Sequence, residues 1–285
     1  MTEASSVLRV NVGGDVGGAV GGDVGDGVAL VTIEHPPLQL VDGEFIAALA
    51  QLLPSLEADK GVRVVVFVSD DPDFFLMHGD VDSIAAACGR SPVTGVNPAA
   101  AIFDAWRTSS LVSIGVLEGA ARGGGSEFFR ALDLRLASTT AVLGQPEVAL
   151  GLIPGAGGTA RLGRLLGRSQ ALRLILTGDD VGARRAYELG WVDEVLPPGA
   201  VRDRALELAR RIAAMPVDAV TALKRVLDVA IGDFSAGLVA ESEANSQLMA
   251  ERVPVAPIRR FVAAGGQTRE GERSDFAAAL DAALG

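Results

Sequence analysis

The sequence predicts an α/β protein, and three observations point to that class. Nearly half of the 285 residues (49%) are apolar, which is enough to bury a substantial core. Segments typical of strands and of helices alternate through about the first half of the chain, and helical segments dominate after Ala200. The apolar run GVRVVVFVS, residues 61–69, is typical of a strand in a sheet that is covered on both faces. We therefore expect an α/β core followed by a helical region.

The individual elements follow from local patterns of apolar residues. Four further segments have strand-like composition: VALVTIE (28–34), LVSIGVLEG (111–119), LRLAS (134–138) and AVLGQ (141–145). Helical spacing is found at 43–59, 97–109, 126–133, 159–178, 182–190, 201–215 and 219–250. Pro54 lies inside the first of these helices, and we expect it to kink or divide that helix.

The domain organisation follows from these elements and from one low-complexity stretch. Residues 1–200 are expected to form the core, and residues 201–285 a helical region that packs either on that core or on a neighbouring subunit. The stretch GGDVGGAVGGDVGDG, residues 13–27, is rich in glycine and is expected to form a surface insertion.

Composition excludes several classes of function. The formal net charge of −11 argues against a protein whose main task is to bind nucleic acid, because phosphate binding needs a basic surface. Cys88 is the only cysteine and there are two histidines, so we expect no disulfide within the chain and no metal site. The N-terminal residues have no signal pattern, and no apolar run is long enough to span a membrane. We expect a cytoplasmic protein with no membrane partner.

Two glycine-rich blocks carry the chemical signal: RGGGSEF (122–128) and GQPEVALGLIPGAGG (144–158). Glycines between a strand and a helix leave bare N–H groups at the helix N-terminus, a place that suits an anion or an oxygen gaining negative charge. The first block does not fit a dinucleotide-binding G-x-G-x-x-G, and neither block has the lysine of a phosphate loop. The first block also lacks the last glycine of a nucleophile elbow, because Phe128 stands at that position.

Two carboxyl groups remain as candidates for chemistry, Glu127 and Glu147, each with apolar neighbours in the sequence. A carboxylate in such surroundings must be paired, hydrated or shifted in pKa. Two of them beside an oxyanion site could move protons at a carbon next to a carbonyl group. The alternative from the residues alone is structural, with the glutamates serving only as helix caps or buried pair members.

These blocks resemble the crotonase superfamily, also called the enoyl-CoA hydratase/isomerase family. GQPEVALGLIPGAGGTARL is the most specific match, and GGGSEF and LTGDDVGARRAYELGWVDEV are similar to family segments. The resemblance extends from about Leu30 to the helix at Lys224, and more loosely to the C-terminus. It implies a spiral of ββα turns with a C-terminal helical trimerisation region, in a homotrimer or a dimer of trimers. It also implies an acyl-CoA substrate and no cofactor besides the coenzyme A of that substrate.

The resemblance assigns roles to particular residues. The N–H groups of Gly79 and Gly124 would form the oxyanion hole, and Glu127 and Glu147 would be the catalytic glutamates that hold a water molecule. Met77 and His78 would lie beside the substrate, together with Gly155, whose N–H would support the site. We expect Asp80 only to cap a helix that begins near Val81.

Three positions depart from the family pattern. His78 stands where the family has a small residue, and either faces the substrate as an acid or donor or has no chemical role. Arg122 stands at a position that is usually apolar, and either pairs with Asp133 or Glu118 or reads a carboxylate on the substrate. The usual basic residue for coenzyme A phosphates is missing from HPPLQLVDGEF (35–45), and arginines or Lys224 could replace it.

The expected function is that of a lyase of enoyl-CoA hydratase type, which adds water across a 2,3-double bond and belongs to fatty acid metabolism. The alternatives are another CoA-thioester enzyme of the same fold (an isomerase, decarboxylase or hydrolase) and a non-catalytic paralogue.

Overall fold

A computed structural model describes residues 7–13, 27–81, 95–215, 217–231, 246 and 255–284. Its strands are β1 (Leu8–Val12), β2 (Val28–Ile33), β3 (Val64–Ser69), β4 (Phe74–Leu76), β5 (Val112–Leu117), β6 (Ala120–Arg122), β7 (Leu134–Ser138), β8 (Val142–Gly144), β9 (Val181–Gly182) and β10 (Glu194–Leu196). Its helices are α1 (Gly43–Ala58), α2 (Pro98–Thr108), α3 (Gly124–Ala131), α4 (Gly158–Thr177), α5 (Ala183–Glu188), α6 (Val201–Ala213), α7 (Val217–Ile231), α8 (Val255–Ala263), α9 (Arg269–Ser274) and α10 (Phe276–Leu284), with a 3₁₀ turn at Glu147–Leu150.

Two sheets form the framework. The larger has the order β1-β2-β3-β5-β7-β10, and the smaller has the order β4-β6-β8-β9. All pairs are parallel except β1 with β2 and β8 with β9. From β3 to β8 the strands alternate between the sheets, so that β5, β6 and α3 form one strand–strand–helix turn and β7, β8 and α4 form another. The predicted α/β class and its spiral of ββα turns are confirmed.

Helices cover both faces of the larger sheet. On one face, α6 packs through Val201, Ala205 and Ala209 against β-branched residues of the central strands. On the other, Phe128 of α3 lies at the centre of an aromatic cluster, with ring centroids 5.1 Å from Phe67, 5.2 Å from Phe103 and 5.8 Å from Phe45. This packing explains the continuous apolar strands, and it fixes α3, the helix that begins at the glycine cluster.

The C-terminal helices form a smaller apolar cluster over the loops at one end of the sheets. Phe261, Phe276 and Leu280 pack there with Val81 and Leu150. The last part of the chain is therefore placed beside the two glycine-rich blocks.

Several expectations need correction or stay open. Pro54 lies within α1 and does not divide it. Strands β1, β4, β6, β9 and β10 were not predicted. The predicted insertion and the helix expected near Val81 fall almost wholly outside the described residues, at 14–26 and 82–94. Within the described part of the chain, no helix has the length and apolar character needed to cross a membrane. The cytoplasmic location stays a prediction.

Candidate active site

The glycine cluster forms a tight turn between β6 and α3. Gly123 caps α3 with φ of +52°, a left-handed value that favours glycine. The N–H of Gly125 donates to the carbonyl of Met77 at 2.9 Å, and a Cβ at Gly125 would collide with the carbonyl group of Leu76. Glycine is required here because two backbone segments are in direct contact. The turn therefore lies against residues 76–78, directly before Gly79, which the family resemblance assigns to the same oxyanion hole as Gly124.

The peptide before Gly79 is oriented by Val41. The N–H of Val41 donates to the carbonyl of His78 at 3.2 Å, and the N–H of Asp80 donates to the carbonyl of Val41 at 3.3 Å. In a trans peptide the N–H and C=O groups point in opposite directions, so the N–H of Gly79 points away from Val41. A Cβ built on Gly124 would lie 3.2 Å from Val41. Gly79 and Gly124 thus both lie beside Val41, Gly79 along its backbone and Gly124 against its side chain.

Glu127 is buried in the first turn of α3 with only 3% of its surface exposed. Its Oε1 accepts hydrogen bonds from the N–H groups of Ala156 at 2.8 Å and Gly158 at 2.7 Å. Burial raises the pKa of Glu127 from 4.5 to about 7, although these two hydrogen bonds and the charge of Arg161 act in the opposite direction. Glu127 is thus a buried carboxyl group that can change its charge near neutral pH.

The loop that binds Glu127 is held in turn by Arg161 of α4. The guanidinium of Arg161 donates to the carbonyl of Ala156 at 3.0 Å, and a Cβ at Gly157 would collide with it. The sequence predicted that Gly155 would support the site. Gly155 is buried in this loop, but the N–H groups that reach Glu127 belong to Ala156 and Gly158. The GAGG run was the available signal, but it did not indicate which N–H groups point at the carboxylate.

Glu147 is half-buried at the start of the 3₁₀ turn. The amide of Gln145, oriented to suit its neighbours, donates to the two carboxylate oxygens of Glu147 at 3.1 and 3.2 Å and accepts from the hydroxyl of Ser126 at 3.3 Å. A Cβ at Gly123 would lie 3.1 Å from Glu147 Oε1, and one at Gly158 would lie 2.9 Å from Glu127 Oε1 and 3.0 Å from the Gln145 amide. Gln145, which was not predicted, therefore lies between the two glutamates.

Met77 and His78 lie in the segment beside the glycine turn. Met77 is fully buried and packs with Leu38, Phe74 and Ala120. His78 is 7% exposed, and its Nε2 lies 2.6 Å from Glu272 Oε1 in α9. The roles of Met77 and His78 in substrate binding stay predictions.

Arg122 has other partners than Asp133 or Glu118, so that prediction is wrong. Its guanidinium forms two hydrogen bonds with Asp180, at 2.8 and 2.6 Å, and donates to the carbonyl of Glu272 at 2.9 Å. Asp133 instead pairs with Lys224, whose Nζ donates to Asp133 Oδ2 at 2.7 Å. Both partners of Arg122 are more than 50 residues away in the chain, and local sequence pattern gives no sign of them.

The chain forms a spiral of strand–strand–helix turns, with a glycine turn at a helix N-terminus and two glutamates around one glutamine. These features define a protein of the crotonase fold. Comparisons with known proteins agree. Residues 23–265 match the enoyl-CoA hydratase/isomerase family. The curated protein "Probable enoyl-CoA hydratase 2, mitochondrial" of Arabidopsis thaliana is 32% identical over 225 residues, which cover 78% of this chain and 75% of that protein.

Solved structures show the same relationship. A candidate enoyl-CoA hydratase of Streptomyces avermitilis superposes with a TM-score of 0.85 at 33% identity, over 98% of this chain and 99% of that one. Carnitinyl-CoA hydratase of Mycobacterium avium superposes with a TM-score of 0.75 at 29% identity, over 90% and 95% of the two chains. The chain belongs to the enoyl-CoA hydratase/isomerase family, whose members are enzymes that act on acyl-CoA substrates.

Proposed function

We propose that this protein is a hydratase that adds water across the 2,3-double bond of an enoyl-CoA thioester. The observation that carries the proposal is the grouping of Glu127, Gln145 and Glu147 around the glycine turn at the start of α3. One carboxyl group is enough to move a proton between two carbons of an isomerisation substrate. Hydration needs a proton taken from water and a proton delivered to carbon, and two carboxyl groups suit that pair of transfers.

In this proposal the N–H groups of Gly79 and Gly124 bind the thioester oxygen. Gly124 is the first residue of α3, so its N–H has no partner within the helix, and the helix dipole adds partial positive charge there. The N–H of Gly79 is directed away from Val41 by the neighbouring carbonyl bond. Negative charge grows on the thioester oxygen during water addition, and donors fixed in advance stabilise that charge without reorganisation.

The two glutamates then carry the proton transfers. Glu127 accepts a proton from water as the oxygen of that water bonds to C3, and the electron pair of the double bond moves to the thioester oxygen as an enolate. Glu147 donates a proton to C2 as the enolate returns to a thioester. The N–H bonds from Ala156 and Gly158 stabilise the charged form of Glu127, and the Gln145 amide orients Glu147.

A direct assay tests the reaction. Hydration removes the conjugated double bond of an enoyl thioester, so its ultraviolet absorbance should fall when the protein is mixed with crotonyl-CoA or with a longer 2-enoyl-CoA. Mass spectrometry should show a product heavier by one water. A product of unchanged mass would indicate isomerisation instead. No turnover of any acyl chain together with no binding of CoA would favour a non-catalytic protein.

The rate should depend on pH through Glu127. Its pKa of about 7 means that the carboxyl group is neutral at lower pH and cannot accept a proton from water. We expect kcat/KM to rise about tenfold per pH unit below about 7 and to level off above it, before any alkaline loss. A full pH–rate profile on crotonyl-CoA measures this. A rate that is independent of pH between about 5 and 8 would contradict the role of Glu127 as base.

We also propose that the protein works as a homotrimer or a dimer of trimers. The support is an apolar surface on α7, where Leu223, Val226 and Leu227 are half or more exposed among the described residues. Sedimentation equilibrium should give three or six times the mass of one chain. Leu223→Glu with Val226→Glu should lower that mass, and a monomeric wild-type protein would contradict the proposal.

A further inference from the structure

A chain of alternating charges connects the C-terminal helices to the segment that carries Gly79. Arg122 lies between Asp180, at 2.6 Å, and Glu272, whose Oε2 is 3.5 Å from Arg122 Nη1. Glu272 Oε1 contacts His78 Nε2 at 2.6 Å. The side chain of Glu272 is fully buried and those of Arg122 and His78 are 6% and 9% exposed. A buried charge without its partner is strongly destabilising, so these groups depend on one another.

The two shortest polar contacts of the imidazole favour a proton on both nitrogens. Nε2 faces the carboxylate of Glu272, and Nδ1 faces the carbonyl of Gly79 at 3.1 Å. Both of these atoms are acceptors, and only the imidazolium form has two donors. The amide Nε2 of Gln267 also lies 3.4 Å from Nδ1, but its shorter contact, at 3.1 Å, is with the carbonyl of Gly79. Phe261 and Phe276 cover the ring on its other sides, and Arg122 and Glu147 are the further charged groups nearby.

Electrostatics support the charged form. Burial alone would lower the pKa of His78, but the charge and hydrogen bond of Glu272, with a contribution from the Gly79 carbonyl, raise it above its ordinary value. Burial alone would raise the pKa of Glu272, but His78, the N–H of Gln267 and Arg122 lower it. Both shifts favour the ion pair.

The same C-terminal segment also binds the Gly79 carbonyl. Gln267, just before α9, donates from Nε2 to the carbonyl of Gly79 at 3.1 Å, and its own N–H donates to Glu272 Oε1 at 2.9 Å. Val41 already binds the carbonyl of His78 and the N–H of Asp80. The peptide after Gly79 is therefore bound at both its carbonyl and its N–H, whereas the peptide before Gly79 is bound at its carbonyl. The C-terminal segment and His78 supply the bonds to the Gly79 carbonyl.

We propose that Glu272, His78 and Gln267 are positioning residues through which the C-terminal segment fixes the direction of the Gly79 N–H. This inference rests on the proposed function, because it assigns that N–H to the oxyanion hole. Removing a donor from an oxyanion hole costs about 10²- to 10³-fold in rate, and a donor that is present but misdirected costs part of that.

The test compares two glutamates of the same helix. Glu272→Gln keeps the shape but removes the charge, whereas Glu270→Gln makes the same change at an exposed position of α9. We expect Glu272→Gln to lower kcat at least about tenfold with KM within a few-fold, and Glu270→Gln to match the wild type. The bound enolate of acetoacetyl-CoA, seen by its near-ultraviolet absorbance, should weaken in parallel. Unchanged kcat and enolate binding in folded Glu272→Gln would overturn the proposal.

Gln267→Gly covers the case in which Glu272→Gln does not fold. Gln267 has φ of +61°, which glycine adopts without strain, and the backbone N–H bond to Glu272 remains. We expect a lower kcat, weaker enolate binding and undiminished stability. A wild-type kcat with wild-type enolate binding in this variant would contradict the proposal.

The charge of His78 can be measured without any substrate. His35 is the only other histidine, so His35→Asn assigns the two imidazole signals in an NMR titration. We expect His78 to be an imidazolium at pH 7 in the wild type and to lose its proton at lower pH in Glu272→Gln. A neutral His78 at pH 7 would overturn the proposal. If the wild type does not hydrate enoyl-CoA, the proposed function fails, while the enolate and NMR measurements still test the link to Gly79.

Discussion

Glu127→Gln is expected to lower kcat for hydration by about 10²- to 10⁴-fold while KM stays within a few-fold of the wild-type value. The variant keeps an oxygen that can accept the N–H bonds of Ala156 and Gly158, so the loop around it should stay in place. What it loses is a group that can take a proton from water. Glu147→Gln should cause a loss of similar size, because the amide cannot deliver a proton to C2.

The same substitution should make the protein more stable at alkaline pH. Because the pKa of Glu127 rises from 4.5 to about 7 on folding, its contribution to stability is fully present below pH 4.5 and is lost as pH rises through about 7. The loss amounts to about 3 kcal/mol. Glutamine carries no charge, so the variant avoids this loss of stability. Urea unfolding at pH 5 and pH 8 should therefore show that the gain in stability of Glu127→Gln over the wild type is much larger at pH 8.

A lower rate together with a higher stability at pH 8 would separate a catalytic role of Glu127 from a structural one. Glu188→Gln, an exposed glutamate paired with Arg184 and Arg185, serves as the matched control and should change neither rate nor stability appreciably. If Glu127→Gln were less stable at both pH values, its lost activity would be explained by unfolding. If it were folded and retained the wild-type rate, the proposed mechanism would be wrong.

The sequence predicted the long elements of the fold because their signals are local. A run such as Val64–Val68 is apolar at every position, and α6 repeats its apolar residues with helical spacing. Strands β4, β6 and β10 have only three residues each, and β9 has two. Such short segments contain too few residues for a period to show, although the apolar composition of the equally short β8 was enough to predict it. The short strands form because longer neighbours bring them side by side in the spiral. Strand β1 has five residues and was missed for a reason other than its length.

The residues of the candidate site also differ in how far local sequence could predict them. Gly124, Glu127 and Glu147 stand in contiguous motifs, so a resemblance could indicate them. Arg122 pairs with Asp180 and Glu272, and His78 pairs with Glu272. His78 and Glu272 are 194 positions apart in the chain. Charge pairs at that separation leave no local pattern. The sequence showed His78 and Arg122 only as departures from a family motif, and the structure shows that both departures meet at Glu272.

Gly125→Ala should damage both the fold and the site, because it forces apart the two segments that carry Gly79 and Gly124. A Cβ at position 125 would overlap the carbonyl group of Leu76 and lie 2.9 Å from the N atom of Met77. These are backbone atoms, so no change of rotamer can relieve the overlap. The N–H bond from Gly125 to Met77 would also be lost. We expect a loss of about 3 kcal/mol in unfolding free energy and at least about 100-fold in kcat.

Gly163→Ala is the matched control, since it adds the same methyl group to a helix. A Cβ at Gly163 has no heavy atom within 4 Å, and the residue lies inside α4. Alanine is favoured over glycine there by about 0.5–1 kcal/mol, so this variant should be slightly more stable and fully active. Urea unfolding and the crotonyl-CoA assay measure both variants. A Gly125→Ala protein with wild-type stability and rate would show that the two backbone segments are not in contact, and the oxyanion site built from them could not exist as described.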